Sequence, residues 1–277
     1  MKKLIYTLTL VLVGHFVTAA PAFKVEKSGS GNPVLFLPGF TNPGSVWSET
    51  IANLDDEFEH HIVSYAGFDG MEPIEMPWYA TIKDELIDYI IQEDLTDVYI
   101  IGHSMGGTLG ADIASALPDR IVRLLVVDGL PCMRAVMMPG VSADVLQYES
   151  PYNNNMLAMT DEAFLQNASM MARFMTFKEE KVETLTNWIL AADRKTYVYG
   201  YTDLLKLDLR ESISTVKAKT LVLAAPFPDA KAVQVTLEDQ FKNISDKEFI
   251  IAENSRHFIM FDQPEWFYEK VNTFLSE

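Results

Sequence analysis

The most informative stretch of this 277-residue chain is Asp97–Gly110, which reads Asp-Val-Tyr-Ile-Ile-Gly-His-Ser-Met-Gly-Gly-Thr-Leu-Gly. Its apolar, β-branched first part, Val98–Ile101, predicts a short buried strand. A G-x-S-x-G turn follows at Gly102–Gly106, and the small residues behind it predict a closely packed helix. A strand, a sharp glycine-flanked turn and a helix together present the central serine at the edge of a sheet. Ser104 is therefore a candidate nucleophile.

The glycines on either side of this serine have a steric explanation. In such a turn the serine adopts a strained backbone conformation, and a side chain two residues before or after it would collide with the neighbouring strand or helix. The helix N-terminus behind the serine also favours negative charge that develops beside it. The five-residue pattern alone is common, but the strand before it and the helix after it favour a catalytic interpretation.

Strands and helices alternate on both sides of this turn. Apolar runs predict strands at Phe23–Lys27, Pro33–Leu37, His61–Tyr65, Val98–Ile101, Val122–Asp128, Thr220–Ala225 and Glu248–Ala252. Apolar residues at helical spacing predict helices at Val46–Phe58, Trp78–Ile90 and Leu237–Phe241 and from Pro264 onward. This alternation predicts an α/β fold with a mostly parallel, doubly wound sheet that is covered by helices on both faces.

The segment 131–213 breaks the alternation, because its pattern is helical throughout. Helices are predicted there at about Thr160–Thr176, Lys178–Ala192 and Lys195–Leu207. An all-helical segment between two strands of a parallel sheet indicates an inserted cap. We therefore expect an α/β core formed by residues 23–130 and 214–277 and a helical cap formed by residues 131–213.

The first 22 residues are typical of a signal peptide. Two lysines form a positive start, an apolar run follows, and Ala20–Ala22 resembles an A-x-A cleavage site. We expect cleavage after Ala22, with Ala19 and Ala20 as alternatives. The apolar run is too short and too often interrupted to span a membrane, so we expect an exported bacterial protein, periplasmic or secreted, without a membrane anchor.

Composition narrows the classes of function. Apolar residues make up 48% of the chain, enough for a sizeable core, and the formal net charge of −17 argues against nucleic acid or anionic membranes as partners. Cys132 is the single cysteine, and neither C-x-x-C nor H-E-x-x-H spacing occurs. We therefore expect neither a metal nor a cofactor, a small molecule as the substrate, and a buried structural role for Cys132.

A serine needs a base to become a nucleophile at neutral pH, and histidine is the usual one. His15 leaves with the signal peptide, and His60 and His61 start a strand, opposite to the end where ligands bind in parallel sheets. His103 adjoins the serine within the turn and is better placed to pack or to orient. His257 remains, directly after the last predicted strand, and we predict that it is the base.

The histidine in turn needs a carboxylate that holds its tautomer and stabilises the imidazolium. Two aspartates stand at the ends of predicted strands, Asp229 after Thr220–Ala225 and Asp128 at the end of Val122–Asp128. We favour Asp229 and keep Asp128 as the alternative acid.

Acyl attack also creates an oxyanion that needs backbone N–H donors. The residue after the nucleophile, Met105, supplies one donor. We assign the other to Phe40, in the glycine- and proline-rich loop that follows Pro33–Leu37.

With these residues the chain resembles the α/β-hydrolase superfamily, in particular its members with a helical cap. The resemblance covers nearly all of the chain after the signal peptide, at Pro33–Gly44, Val98–Gly110, Val122–Asp128, Thr220–Asp229 and Glu248–Phe261. It implies a triad of Ser104, Asp229 and His257 with oxyanion donors from Phe40 and Met105. The chain departs from the usual pattern at Pro38-Gly39, where His-Gly is common, and before the acid, where a Gly-x-x-Asp turn is common.

The cap contains eight of the thirteen methionines, namely Met133, Met137, Met138, Met156, Met159, Met170, Met171 and Met175. Methionine usually fills cores, yet it is also flexible enough to line an adaptable apolar pocket. We expect part of this set to face the serine. The sequence thus predicts a serine hydrolase that cleaves carboxylic esters with an apolar acyl or aryl group.

Alternatives stay open at this level. An amide or peptide hydrolase of the aminopeptidase kind would use the same triad and would need carboxylates for a free amine, for which Glu149, Asp161 and Glu162 are candidates. Two further alternatives are an enzyme that carries out cofactor-free oxygenation with a Ser-His pair and a non-catalytic binding protein with the same fold.

Overall fold

A computed structural model describes residues 20–276. The predicted signal peptide lies outside the described residues except for Ala20–Ala22, so it stays a prediction. Ala22 is buried; its N–H donates to the Glu85 carboxylate at 3.1 Å, and its carbonyl accepts from Ala66 N–H at 2.8 Å. Cleavage after Ala22 would remove these contacts, whereas cleavage after Ala19 or Ala20 would keep them. Within residues 20–276, no helix is long and apolar enough to cross a membrane.

Seven strands form one sheet in the order β1-β3-β2-β4-β5-β6-β7. The strands are β1 (Phe23–Gly29), β2 (Asn32–Leu37), β3 (Phe58–Tyr65), β4 (Val98–His103), β5 (Ile121–Val127), β6 (Lys219–Ala224) and β7 (Lys247–Ile251). Only β1 is antiparallel, to β3; every other neighbouring pair is parallel. The predicted α/β fold with a mostly parallel sheet is confirmed.

Eleven α-helices accompany the sheet in the described part of the chain. They are α1 (Ser48–Ala52), α2 (Trp78–Gln92), α3 (Met105–Ala116), α4 (Met133–Met137), α5 (Pro151–Leu157), α6 (Asp161–Met175), α7 (Glu179–Ala191), α8 (Arg194–Lys206), α9 (Ala230–Gln240), α10 (Ile259–Asp262) and α11 (Pro264–Ser276). Buried side chains form two apolar clusters, and β4 contributes to both through Ile100 and Ile101, because successive side chains of a strand point to opposite faces.

Two predicted helices have different bounds in the structure. The helix predicted over Val46–Phe58 is a 3-10 turn at Gly44–Trp47 followed by the short α1, and Phe58 already belongs to β3. The helix predicted over Leu237–Phe241 begins much earlier, at Ala230. Val233 is buried and lies four residues before Leu237, so the apolar face extends one turn further back than the predicted helix.

Helices α4 to α8 lie between β5 and β6, as the helical pattern of the segment 131–213 predicts. Helix α8 packs against α2 of the core. The Asp203 carboxylate of α8 accepts hydrogen bonds from the Tyr148 hydroxyl and from the Tyr79 N–H at the start of α2. This buried carboxylate therefore ties the inserted helices to the core beside the loop that follows β2.

Candidate active site

Ser104 occupies the turn between β4 and α3. Its backbone has φ 53° and ψ −120°, a left-handed conformation that is strained for a residue with a side chain. The flanking backbone holds this conformation, because Ser104 N–H donates to the Val127 carbonyl at 2.7 Å and the Ser104 carbonyl accepts from Gly107 N–H at 2.9 Å. The turn thus has the geometry of a nucleophile elbow.

The two glycines of the motif are required by close backbone packing. A Cβ atom at Gly102 would lie 2.2 Å from the Gly106 carbonyl oxygen, and one at Gly106 would lie 2.1 Å from the Leu37 carbonyl oxygen. Both distances are far below van der Waals contact. Glycine at both positions of G-x-S-x-G therefore allows α3 and β2 to pack closely against the turn.

His257 and Asp128 form a hydrogen-bonded pair at the carboxyl edge of the sheet. The Nδ1 atom of His257 lies 2.6 Å from the Asp128 carboxylate, and both side chains are about a quarter exposed, at 28% and 22%. The second carboxylate oxygen accepts from Ala225 N–H at 2.8 Å, at the end of the neighbouring strand β6. With Nδ1 engaged, the Nε2 atom of His257 is the ring nitrogen left for a reacting group.

The structure corrects the choice of acid. Asp229 is exposed and caps α9, where its carboxylate accepts from Ala232 N–H at 2.9 Å. Asp128 comes directly after β5, the strand beside β4 in the sheet, whereas Asp229 stands five positions beyond the end of β6. The Asp229 carboxylate is thus engaged at the start of α9, and the carboxylate that His257 contacts is that of the alternative, Asp128.

His103 is fully buried between two loops of the site. Its Nε2 atom lies 3.0 Å from the His257 carbonyl oxygen, and its Nδ1 atom lies 3.4 Å from the amide nitrogen of Asn42. Burial lowers the pKa of His103 well below its usual value, so the ring is neutral. With Nε2–H donating to the carbonyl and Nδ1 accepting from the amide, one ring connects the loop after β2 to the loop that carries His257. The orienting role expected for His103 agrees with these contacts.

The assigned oxyanion donors sit where the chain leaves β4 and β2. Met105 is the first residue of α3, and the first N–H groups of a helix have no partner within it. Phe40 follows β2 in a loop that is closed by a hydrogen bond from Asn42 N–H to the Gly39 carbonyl at 3.1 Å. Phe40 lines the same cavity as Ser104 and His257.

A cavity of about 820 Å³ lies above these residues. Core residues around Ser104 and His257 form one side, and α4 to α8 with the loops between them form the other. Six of the eight cap methionines contribute to its lining, namely Met133, Met137, Met138, Met156, Met171 and Met175. The methionine-rich segment therefore faces the serine, as its position in the sequence predicts.

The cavity is neutral. No lysine, arginine, aspartate or glutamate occurs among the described residues that line it. The carboxylates considered for binding an amine lie elsewhere: Glu149 accepts from the Tyr199 hydroxyl, Asp161 pairs with Arg194, and Glu162 is exposed.

His60, His61 and Cys132, the other side chains considered for catalysis, lie outside the cavity. His61 is buried, with the Tyr89 hydroxyl 2.6 Å from its Nδ1 atom, and His60 lies beside it on β3. Cys132 is buried, and its backbone makes two hydrogen bonds with the Gln240 amide. Neither histidine nor Cys132 lines the cavity.

Asn42 and two tyrosines of α8, Tyr197 and Tyr201, are site residues that the sequence does not reveal. Asn42 stands in a turn-rich loop where asparagine is common for local reasons, so its contact with His103 leaves no pattern. Tyr197 and Tyr201 are four residues apart and thus share a helix face, but only the folded chain shows that this face lines the cavity.

Comparison with known proteins supports the fold and the class of chemistry. A family model described as the Alpha/beta hydrolase family matches residues 34–270. The pimeloyl-[acyl-carrier protein] methyl ester esterase of Aeromonas hydrophila is 23% identical over 265 residues, covering 91% of this chain and 99% of the relative.

Solved structures share the architecture. The esterase EaEST from Exiguobacterium antarcticum superposes with a TM-score of 0.77 at 19% identity, covering 94% of this chain and 99% of that one. The enol-lactonase from Burkholderia xenovorans gives a TM-score of 0.74 at 15% identity, with 92% and 96% covered. At these identities the likeness concerns the fold.

Proposed function

The chain belongs to the alpha/beta hydrolase family and is a hydrolase, and from this premise we propose that it cleaves neutral carboxylic esters through Ser104, His257 and Asp128. The observation that carries the proposal is the 2.6 Å contact between His257 and Asp128 beside Ser104, on the floor of an apolar cavity. Ser104 and Asp128 come directly after β4 and β5, and His257 comes from the loop after β7, so three separate parts of the chain meet here.

In the proposed acylation, the Ser104 hydroxyl oxygen attacks the ester carbonyl carbon while Nε2 of His257 takes the hydroxyl proton. The carbonyl π electrons move to oxygen, and the N–H groups of Phe40 and Met105 stabilise the resulting oxyanion. Asp128 accepts from Nδ1–H, which holds the tautomer and stabilises the imidazolium. Collapse of the tetrahedral species breaks the bond to the alcohol, which leaves with the proton from His257.

Deacylation repeats these steps with water. His257 takes a proton from the water, whose oxygen attacks the acyl carbon, and the proton then returns to the serine as the carboxylic acid leaves. The neutral, mainly apolar cavity favours an uncharged substrate, because a charged group would be desolvated there without a partner. The same lack of carboxylates disfavours a substrate with a free amine, as an aminopeptidase would require.

The name of the Aeromonas relative suggests which alcohol part the ester has. That relative is named for a methyl ester, so we propose esters of small alcohols as the first class to examine. The acyl part would occupy the methionine-lined side of the cavity, where flexible thioether side chains can adapt to different chain lengths.

The test begins with the nucleophile. A fluorophosphonate probe should label the wild type, and Ser104→Ala should abolish the labelling while its circular dichroism and melting temperature stay those of a folded protein. Labelling that persists in Ser104→Ala, or a wild type that never labels, would contradict the proposed nucleophile.

The substrate class needs its own test. Methyl and p-nitrophenyl esters of increasing acyl length should be hydrolysed by the wild type, whereas matched amides and N-terminally free peptides should react far more slowly. The absence of hydrolysis for every ester, or a preference for peptides with a free amine, would overturn the proposed class.

A further inference from the structure

Two tyrosine hydroxyls on the cavity wall have unusually weak partners. Tyr197 donates to the sulfur of Met171 at 3.4 Å, and Tyr201 donates to the sulfur of Met137 at 3.4 Å. All four residues line the cavity. Neither hydroxyl makes another hydrogen bond to a residue in the part of the chain that the structure describes.

A thioether sulfur is a weak acceptor, whereas a buried tyrosine hydroxyl normally finds an oxygen partner. Tyr197 is buried and Tyr201 is half-buried. Burial, with the nearby Tyr201 and Tyr152 hydroxyls, raises the pKa of Tyr197 to about 12, and burial also raises the pKa of Tyr201. Both hydroxyls therefore keep their protons at neutral pH. Two donors thus face a mainly apolar cavity, and each can bind a better acceptor than sulfur.

The two tyrosines also lie beside the proposed reaction centre. They are four residues apart on α8, so their side chains share one helix face. The ring of Phe40 packs against both, with centroids 5.8 Å from Tyr197 and 5.7 Å from Tyr201. Phe40 is the residue assigned to the oxyanion, so a substrate on Ser104 extends past this wall into the cavity.

We infer that Tyr197 and Tyr201 form a subsite that donates hydrogen bonds to a second, neutral oxygen of the substrate, a carbonyl or ether oxygen several bonds away from the ester that is cleaved. This inference rests on the proposed function. The ligand group is an acceptor because both hydroxyls are placed as donors, and it is neutral because no cation lines the cavity to pair with a carboxylate.

Met137 and Met171 can give up their contacts with the tyrosines to a substrate oxygen. An oxygen acceptor can replace each thioether at its tyrosine, and the unbranched methionine side chain can turn aside without loss of a strong hydrogen bond. When the cavity is empty or holds an all-hydrocarbon substrate chain, the tyrosines keep their weak O–H···S contacts. The subsite therefore favours a substrate chain that carries an oxygen.

The experiment compares two series of methyl esters of equal chain length. One series is all-methylene, and in the other a single methylene is replaced by a ketone carbonyl or an ether oxygen at successive positions. For the wild type we expect one position at which the oxygen raises kcat/KM about tenfold over the all-methylene ester.

The readout in the variants is the ratio of kcat/KM between the two esters. Tyr197→Phe and Tyr201→Phe keep the ring against Phe40 and should each lower the ratio, and the double variant should bring it close to one. Tyr199→Phe is the matched control, because Tyr199 lies on the same helix but donates to Glu149 outside the cavity lining, so its ratio should equal that of the wild type.

The outcomes separate the two proposals. If the wild type hydrolyses the all-methylene esters but favours no oxygen position, or if the preference survives in the double variant, the subsite is wrong and the proposed function stands. If the wild type hydrolyses neither series, the proposed function falls and the subsite with it.

Discussion

The two sides of the cavity are built in opposite ways. On the core side, Ser104 is held by backbone hydrogen bonds and by glycines whose replacement would bring atoms to about 2 Å, and His257 and Asp128 hold each other at 2.6 Å. On the cap side, methionines and tyrosines meet through weak sulfur contacts. Hydrogen bonds and close backbone packing fix the core side, whereas flexible side chains with weak contacts form the cap side.

This difference follows from what each side has to do. The proposed acyl transfer requires the nucleophile, base and oxyanion donors within a few tenths of an ångström of their working positions. Ser104 and Met105 accordingly lie where β4 ends and α3 begins, and Phe40 and His257 lie in the loops after β2 and β7. Binding of an apolar chain depends on area and tolerates movement. Substitutions on the core side should therefore change kcat steeply, and those on the cap side should change substrate preference mildly.

The largest effect is expected for Asp128→Asn. Loss of the carboxylate leaves His257 without the partner that sets its tautomer and stabilises its charged form, so kcat should fall by about 10⁴-fold. Asp229→Asn is the matched control and should leave kcat within about twofold of the wild type, because Asp229 only caps α9. Steady-state kinetics on one methyl ester measure both, and a larger loss in Asp229→Asn would reverse the assignment.

His103→Phe should have the next largest effect. Phenylalanine fills the same space but cannot donate to the His257 carbonyl or accept from Asn42, so the loop that carries the base loses its anchor. We expect kcat to fall about thirtyfold with KM nearly unchanged, since a displaced base affects the chemical step. A rise in KM at constant kcat would show that His103 supports substrate binding instead.

The same histidine should make stability depend on pH. Because burial places the pKa of folded His103 well below its usual value, the unfolded chain binds a proton that the folded chain cannot when the pH drops below about 6.5. The free energy of unfolding should therefore decrease on acidification, by up to about 1.4 kcal/mol per pH unit from this group.

Chemical denaturation of the wild type and His103→Phe between pH 7.5 and 5 measures this contribution. Burial also lowers the pKa of His60 and His61. The free energy of unfolding of His103→Phe should therefore still decrease on acidification, but less steeply than that of the wild type. Parallel curves for the two proteins would contradict the neutral, buried state of this ring.

The smallest effect is expected on the cap side. Met175→Ala enlarges the cavity at the end of α6, so the preferred acyl chain should become longer, with kcat/KM ratios between long and short esters rising about fivefold. Met170→Ala is the matched control on the same helix, exposed and outside the cavity lining, and it should leave the ratios unchanged. A loss of kcat for all esters in Met175→Ala would mean that the cap side also sets the reaction geometry.

Much of the fold could be predicted because its signals are local. The apolar run before Ser104 and the glycines around it predict β4, the turn and the start of α3, and three helices of the segment 131–213 have bounds within one or two residues of those predicted. The start of α9 was predicted too late, because the first three residues, Ala230–Ala232, add no large apolar side chain to the spacing of Val233 and Leu237. Helices α4 and α5 were missed because five and seven residues are too few to show a helical repeat of apolar positions.

The sequence by itself singled out Ser104 as the candidate nucleophile and His257 as the candidate base. Ser104 is marked by steric demands that glycine alone meets, and His257 is the histidine left once strand polarity and chain position disfavour the others. Only the tertiary structure showed that His257 pairs with Asp128, that His103 joins two loops and that two tyrosines lie on the cavity wall. These depend on which strand ends are neighbours and on which face of a helix turns inward, and both are set by the packing of residues far apart in the chain.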